Sequence, residues 1–246
     1  MEVFFSYIYN KLPILSKEIQ SLEQKDQLSD YVFDKTGRMK PEVRRAMIAV
    51  AKEFQDFIDL PIPVEDLVLI GSLASYSHSP YSDADIHLMV DYDKLGIDEE
   101  FARSLFDSKK NLFNNRFDIK IGPYEAEVYI QGTEDPNAST GVYSLVKDQW
   151  IQEPQMVNAD FDKDLVMNKA SMYERMIDRA DSLEEIDAMK DKLSRFRKAG
   201  LDREGEYSYE NLVYKLLRRR GYLEKLQDAQ TAAIEKRLSI KEKNNG

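Results

Sequence analysis

Period-two alternation of apolar and polar residues marks the middle of this 246-residue chain, and helical spacing marks its flanks. Leu67-Val68-Leu69-Ile70 predicts a short buried strand ending at Gly71. Ile86, Leu88 and Val90 alternate with Asp85, His87 and Met89 in a second strand, from Ala84 to about Tyr92. Phe117–Ile121 and Tyr124–Gln131 alternate on either side of Gly122-Pro123, which predicts a hairpin. Val142–Val146 follows a polar loop, and Trp150 is expected to anchor the seam after it.

Residues 1 to about 60 read as helical, with Pro41 at a first helical position and Val43, Met47, Val50, Ala51, Phe54 and Phe57 on one face. Leu60-Pro61-Ile62-Pro63 ends that pattern. A further helix is expected over Ile97–Phe113, with Phe101, Leu105, Leu112 and Phe113 turned to the core. From about residue 160 the chain is helical and highly charged. Ser182-Leu183-Glu184-Glu185 opens one helix with a capping-box pattern, Gly200 is expected to close it or its successor, and Gly221 to interrupt the last. The fold class that follows is α+β, a mixed sheet with flanking helices and then a helical domain. The boundary falls between 1–155, which includes the N-terminal helices, and 156–246.

Composition narrows the chemistry. There is no cysteine, so disulfides, thiolate metal sites and cysteine nucleophiles are excluded. With only His78 and His87, any metal must be held mainly by oxygen, which favours a hard ion such as magnesium. The start, MEVFFSYIYNKLPIL, carries Glu2 and interleaved tyrosines and reads as a packed helix rather than a signal peptide. No apolar run approaches the roughly 20 residues that cross a bilayer, so a cytoplasmic protein without membrane contact is expected. The Asn137-Ala138-Ser139 sequon then has no glycosylation role, and the Lys-Glu-Lys-Asn-Asn-Gly end is expected to fray. A net charge of −10 opposes non-specific binding to nucleic acid, yet Lys192 to Lys225 holds ten basic and five acidic residues. A solvated helix face accounts for that excess as well as an RNA surface does.

The second strand poses the chemical question. Asp83 and Asp85 fall two apart, on one face, where their charges repel. Burying such a pair costs several kcal/mol unless a cation joins them. Gly71-Ser72 follows the first strand, where glycine lets backbone N–H groups approach a ligand, a following helix would aim its positive end, and the serine hydroxyl adds a donor. Together, an anion cradle and a cation site suit a nucleoside triphosphate carried with magnesium. A third acid lies in Tyr124–Gln131, where Glu125, Glu127 and Tyr129 share a face and Glu127 sits mid-strand between apolar neighbours.

These motifs resemble the DNA polymerase β-type nucleotidyltransferase superfamily over about residues 65–131. Its signature is Gly-Ser after a first strand, Asp-x-Asp on a second and an isolated acid on a later one, here Gly71 and Ser72, Ser82-Asp83-Ala84-Asp85, and Glu127. The longer wording, Tyr-Ser-Asp-x-Asp-x-His and then Glu-Val-Tyr-Ile-Gln, is similar to uncharacterised phage-encoded members, which implies a host cytoplasm. The resemblance implies a nucleotidyltransferase-type fold and transfer of a nucleoside monophosphate from a triphosphate such as ATP to an acceptor hydroxyl. It also implies two Mg2+ ions, with Mn2+ the alternative. Asp83, Asp85 and Glu127 would be catalytic and metal-binding, with Gly71, Ser72, Ser82 and Lys215 on the nucleotide. Lys215 enters because helical domains of that superfamily lend cations to the triphosphate.

Alternatives stay open. Asp118 competes with Glu127 as the third acid, and the resemblance implies Glu127, because superfamily members with a strand hairpin usually carry the acid on its second strand. His87 is more simply a polar neighbour than a ligand, Asp91 lies past the useful end of its strand, and Ser75, Tyr76 and Ser77 read as capping residues. The basic excess favours an RNA or tRNA end as acceptor. A small molecule of aminoglycoside type and a catalytically silent binding module are the other readings.

Overall fold

A computed structural model describes residues 17–136, 139–157 and 159–239. The N-terminal aromatic segment, the first two residues of the sequon and the C-terminal lysine-rich end lie outside them. The described residues fall into two units, one within Gln24–Asn158 and the other within Met1–Glu23 together with Ala159–Gly246.

The first unit is built on a six-stranded mixed sheet of β1 (Val64–Ile70), β2 (Ala84–Val90), β3 (Lys120–Ile121), β4 (Tyr124–Gly132), β5 (Val142–Ser144) and β6 (Gln149–Gln152). The spatial order is β3-β4-β2-β1-β5-β6. β2 and β4 are parallel, and the other neighbouring pairs are antiparallel. The parallel pair needs a long crossover, and helix α2 (Glu99–Arg116) supplies it. Ile86, Leu88 and Val90 are fully buried while Asp85, His87 and Met89 are only partly so, as the alternation predicts.

Helix α1 (Pro41–Ile58) starts on its proline and ends at Asp59, a left-handed residue with φ 59°. It buries Val43, Met47, Val50, Ala51, Phe54 and Ile58 in the core of this unit. Residues 24–40, expected to be helical, instead form a loop. Asp34 Oδ1 accepts from the N–H groups of Thr36 (2.8 Å) and Arg38 (3.1 Å), and a single bridge joins Phe33 to Met39. An Asp side chain competing for local N–H groups favours such a turn over a helix. Trp150, expected at a seam, lies on β6, an edge strand that the pattern did not predict. Its ring stacks on Phe33 at 5.0 Å, and its N–H donates to the Gly37 carbonyl.

Two of the four core residues expected on α2 are corrected: Phe101 is 61% and Leu112 56% exposed, with Ala102 and Phe106 buried instead, whereas Phe113 is buried and Leu105 packs against the core as expected. Asp98 caps the helix by accepting from the Phe101 N–H at 2.9 Å, and the turn it starts sets the buried stripe at 102, 106 and 113. Near the helix end, the Asn114 side chain bonds both the N–H (3.1 Å) and the C=O (3.2 Å) of Val128, taking the place of another strand along β4.

The second unit packs α3 (Lys163–Ile177), α4 (Leu183–Glu204), α5 (Tyr209–Arg219) and α6 (Tyr222–Leu238) around Val166, Tyr173, Leu193, Leu212 and Leu216. Ile19 and Leu22 belong to this core, so residues 17–23 group with the late helices rather than with the sheet. Ser182 caps α4 by accepting from the Glu185 N–H, as the capping-box pattern predicts, while the Glu185 carboxylate accepts from the N–H of Asp181, one residue before the cap. Gly200, expected to end a helix, lies inside α4; Gly205, at φ 74°, terminates it. Gly221, at φ 75°, separates α5 from α6. Among the described residues, no helix is long and apolar enough to cross a membrane.

Candidate active site

The parallel register brings two of the three expected acids together. Asp85 on β2 lies beside Glu127 on β4, and His87 beside Tyr129. In-register neighbours of parallel strands point to the same side, so Asp85, His87, Glu127 and Tyr129 share one face. Asp83 precedes β2 with the same parity.

Asp85 also approaches Gly71. A Cβ on Gly71 would stand 2.2 Å from Asp85 Oδ2, and the backbone there has φ 73° and ψ −156°, a region that glycine alone adopts readily. The glycine is therefore required both by its own backbone and by the carboxylate across from it. The cradle expected around it is different in detail. Gly71 N–H donates to Ser139 Oγ at 3.0 Å, and Ser72 Oγ donates to Ser82 Oγ at 2.8 Å. Ser82, buried, also accepts from Ser79 N–H at 2.9 Å. A 3-10 turn, Ser72–Ala74, follows β1 where an α-helix was expected, so no α-helix starts from this loop. Ser75 bonds the Ser72 carbonyl at 3.1 Å and Ser77 Oγ at 2.7 Å, which tightens the loop internally.

Electrostatics tie the acids to one another through Tyr129. Its phenol donates to Glu127 Oε2. Burial first, then this hydrogen bond and the charges of Glu127, Asp85 and Asp83, push its pKa far above the usual phenol range. A single hydroxyl thus feels all three carboxylates. The Tyr129 ring is stacked on His87 with 4.8 Å between centroids, and Lys110 Nζ lies 5.1 Å from its centroid. His87 Nδ1 is 2.8 Å from Gln131 Oε1, and burial lowers its pKa to about 4, so the ring is neutral near pH 7. It is engaged with Gln131 as a polar neighbour of the acids.

Sequence reasoning missed the parts played by Lys110 and Tyr129. Lys110 continues the stripe Ala102–Phe106 four residues on, a lysine at a core-facing position of an amphipathic helix. Correct phasing of α2 would have exposed that signal.

Asp118, the competing third acid, is 75% exposed and lies 3.6 Å from Lys120. It shares with Glu127 a polar recess of about 340 Å³, lined also by Asn114, Asn115 and Glu125. The donors near Asp85 are oxygens, which suits magnesium. Among the described residues, no three Asp, Glu or His side chains close into a metal cage by themselves. Magnesium commonly takes one or two carboxylates and completes its shell with water and substrate phosphate, so an open set of acids fits that ion.

Lys215 belongs to the helical unit. Burial lowers its pKa, and Nζ donates to Glu206 at 2.7 Å. Other cations of the basic stretch are also bonded within that unit. Arg203 pairs with Glu210 at 2.8 Å, Arg220 with Glu18 at 3.1 Å and with Glu174, and Lys225 with Asp178 at 2.6 Å. The excess that favoured RNA is to that extent paired with carboxylates of its own unit, Lys215 and Arg220 in largely buried pairs and Arg203 and Lys225 in exposed ones.

No protein-family model matches the chain, and no curated protein sequence does. Among solved structures, the chain is similar to a STING-associated CdnE c-di-GMP synthase from Capnocytophaga granulosa, at 9% identity over 96% of this chain and 94% of that one, with a TM-score of 0.22. A superposition that loose carries no weight for fold or function.

Proposed function

We propose that the protein is a divalent-metal-dependent nucleotidyltransferase. The observation that carries this reading is the placement of Asp85 against Gly71 on one side and in register with Glu127 on the other. Like charges set side by side on a partly buried strand face suit a site that receives a cation with its substrate. Asp83 and Asp85 would hold magnesium, and Glu127 would complete the set. Bound ions of this kind supply positive charge to the triphosphate and to the departing pyrophosphate. Glu127 accepts the proton of the attacking hydroxyl. The acceptor oxygen bonds to the α-phosphorus, the α–β P–O bond breaks, and pyrophosphate leaves. Gly71, Ser72 and Ser82 shape the loop beside these acids.

For the acceptor, the polar recess next to Glu127 favours a small polar molecule over an RNA end, because basic residues counted toward RNA are bonded to carboxylates of the helical unit. Labelled nucleotides incubated with magnesium and either no acceptor, total RNA or a small-metabolite extract test both levels. Label is expected in a small product. Label in RNA, lost as salt rises, would replace the acceptor assignment. Asp83→Ala and Asp85→Ala are each expected to lower transfer about a hundred- to a thousandfold while the chain stays folded by circular dichroism. Undiminished transfer in either variant would remove the assignment of the acids. Metal-independent behaviour of the wild type toward a non-hydrolysable triphosphate would leave a silent binding module.

A further inference from the structure

We infer that Tyr129 is a positioning residue that sets the orientation of the Glu127 carboxylate beside Asp85. The inference rests on the nucleotidyl-transfer reading for its consequence, but the geometry stands by itself. Tyr129 and Glu127 are two apart on β4 and therefore project from the same face, and the phenol folds back to donate to Glu127 Oε2. One carboxylate oxygen is thereby held, and the other is left to serve the site.

The ring that carries this hydroxyl is itself fixed from both neighbouring elements. His87, one strand across on β2, stacks on it at 4.8 Å with 27° between the planes, and Gln131 Oε1 holds the imidazole at 2.8 Å. From α2, Lys110 brings its ammonium to 5.1 Å from the ring centroid and lies 3.5 Å from Asp107. A carboxylate in the field of Asp85 and Asp83 would otherwise turn away from them. Like-charge repulsion favours the rotamers that separate the groups, and a fixed donor opposes it. Partners that orient a ligating carboxylate in this way are as much a part of a metal site as the carboxylate itself. The position is also selective by type. Phenylalanine would keep the stack and the cation contact but lose the donor.

The test uses the full chain and measures Mn2+ affinity by electron paramagnetic resonance with a non-hydrolysable ATP analogue present, together with the melting temperature of the metal-free protein. Tyr129→Phe is expected to weaken Mn2+ binding about tenfold with the melting temperature unchanged. Tyr129→Leu, which also loses the stack, is expected to weaken it at least as much and to melt lower. Asp85→Asn and Glu127→Gln serve as references. If Glu127→Gln weakens Mn2+ binding but Tyr129→Phe binds as the wild type does, the positioning role is overturned and the nucleotidyl-transfer reading survives. If neither Asp85→Asn nor Glu127→Gln changes Mn2+ binding, that reading fails and takes the role of Tyr129 with it.

Discussion

Gly71 is the residue on which the site geometry turns. Its φ of 73° is strained for any side chain, and an added methyl would meet Asp85 Oδ2 at 2.2 Å. Gly71→Ala therefore carries two separate costs, about 1–3 kcal/mol of backbone strain and the displacement of a carboxylate. The expected outcome is a modest drop in the urea midpoint with a disproportionate loss of nucleotidyl transfer. Equal, small losses in both would mean that Asp85 moves aside without consequence. At this scale the facing of Asp85 and Glu127 was legible in the sequence, because alternation sets Asp85 opposite Ile86, Leu88 and Val90 on β2 and Glu127 opposite Ala126 and Val128 on β4. Lys110 was not. Its meaning depends on the rotational phase of α2, and Phe101 and Leu112, exposed in the fold, pulled the expected stripe away from the true one.

Elements in this fold meet at points where local propensity and packing disagree. Gly200 sits inside α4, where alanine would improve helix propensity by about 1 kcal/mol. Yet a Cβ there would stand 2.7 Å from both Glu210 Cβ and Ser208 Oγ at the start of α5. Overpacking of this kind costs about 1–3 kcal/mol, so Gly200→Ala is expected to destabilise the helical unit on balance, read as a lower midpoint in chemical denaturation. The same conflict explains why Gly200 looked like a helix end. Glycine inside a helix is costly unless a packed neighbour needs the room, here the side chains of Ser208 and Glu210. In the sheet unit, Arg103 of α2 holds Asp135 with two bonds of 2.7 and 2.9 Å, and Asp135 in turn accepts from Gly132 N–H at the end of β4. The guanidinium keeps the Asp135 carboxyl below its ordinary 3.8. A depressed folded value stabilises the protein above the unfolded value, and that contribution is lost as pH falls through the folded one. Asp135→Asn is thus expected to lower the urea midpoint at neutral pH. Its difference from the wild type should begin to shrink as the pH falls past 3.8 and vanish once the folded carboxyl is protonated, and a difference as large there as at neutral pH would assign the effect to packing.

Across the whole molecule, two hydrophobic cores stand apart in the chain, and the helical one draws on both early and late residues. Arg220, whose side chain is 10% exposed, joins Glu18 to Glu174 and so ties the early segment to α3. One of its terminal nitrogens, Nη2, is buried without a hydrogen-bond partner, so the cluster is held by charge more than by complete satisfaction. Arg220→Ala leaves Glu18, buried, and Glu174, partly buried, without their partner and is expected to cost about 3–5 kcal/mol. Hydrogen exchange should then quicken across α3–α6 while amides of β2 and β4, which belong to the other core, keep their protection. Uniform loss over both units would show that they unfold as one.

The string of residues by itself determined the alternation of β2 and β4, the proline start and apolar face of α1, the hairpin around Gly122-Pro123 and the capped opening of α4. All of these rest on interactions between residues a few positions apart. What the tertiary structure decided was long-range. It set Glu127 beside Asp85 through a parallel register, assigned residues 17–23 to the late helices, and turned cations of the basic stretch onto distant carboxylates. Pairings across tens or hundreds of positions leave little trace in local periodicity, since what selects them is the packing of whole faces against one another.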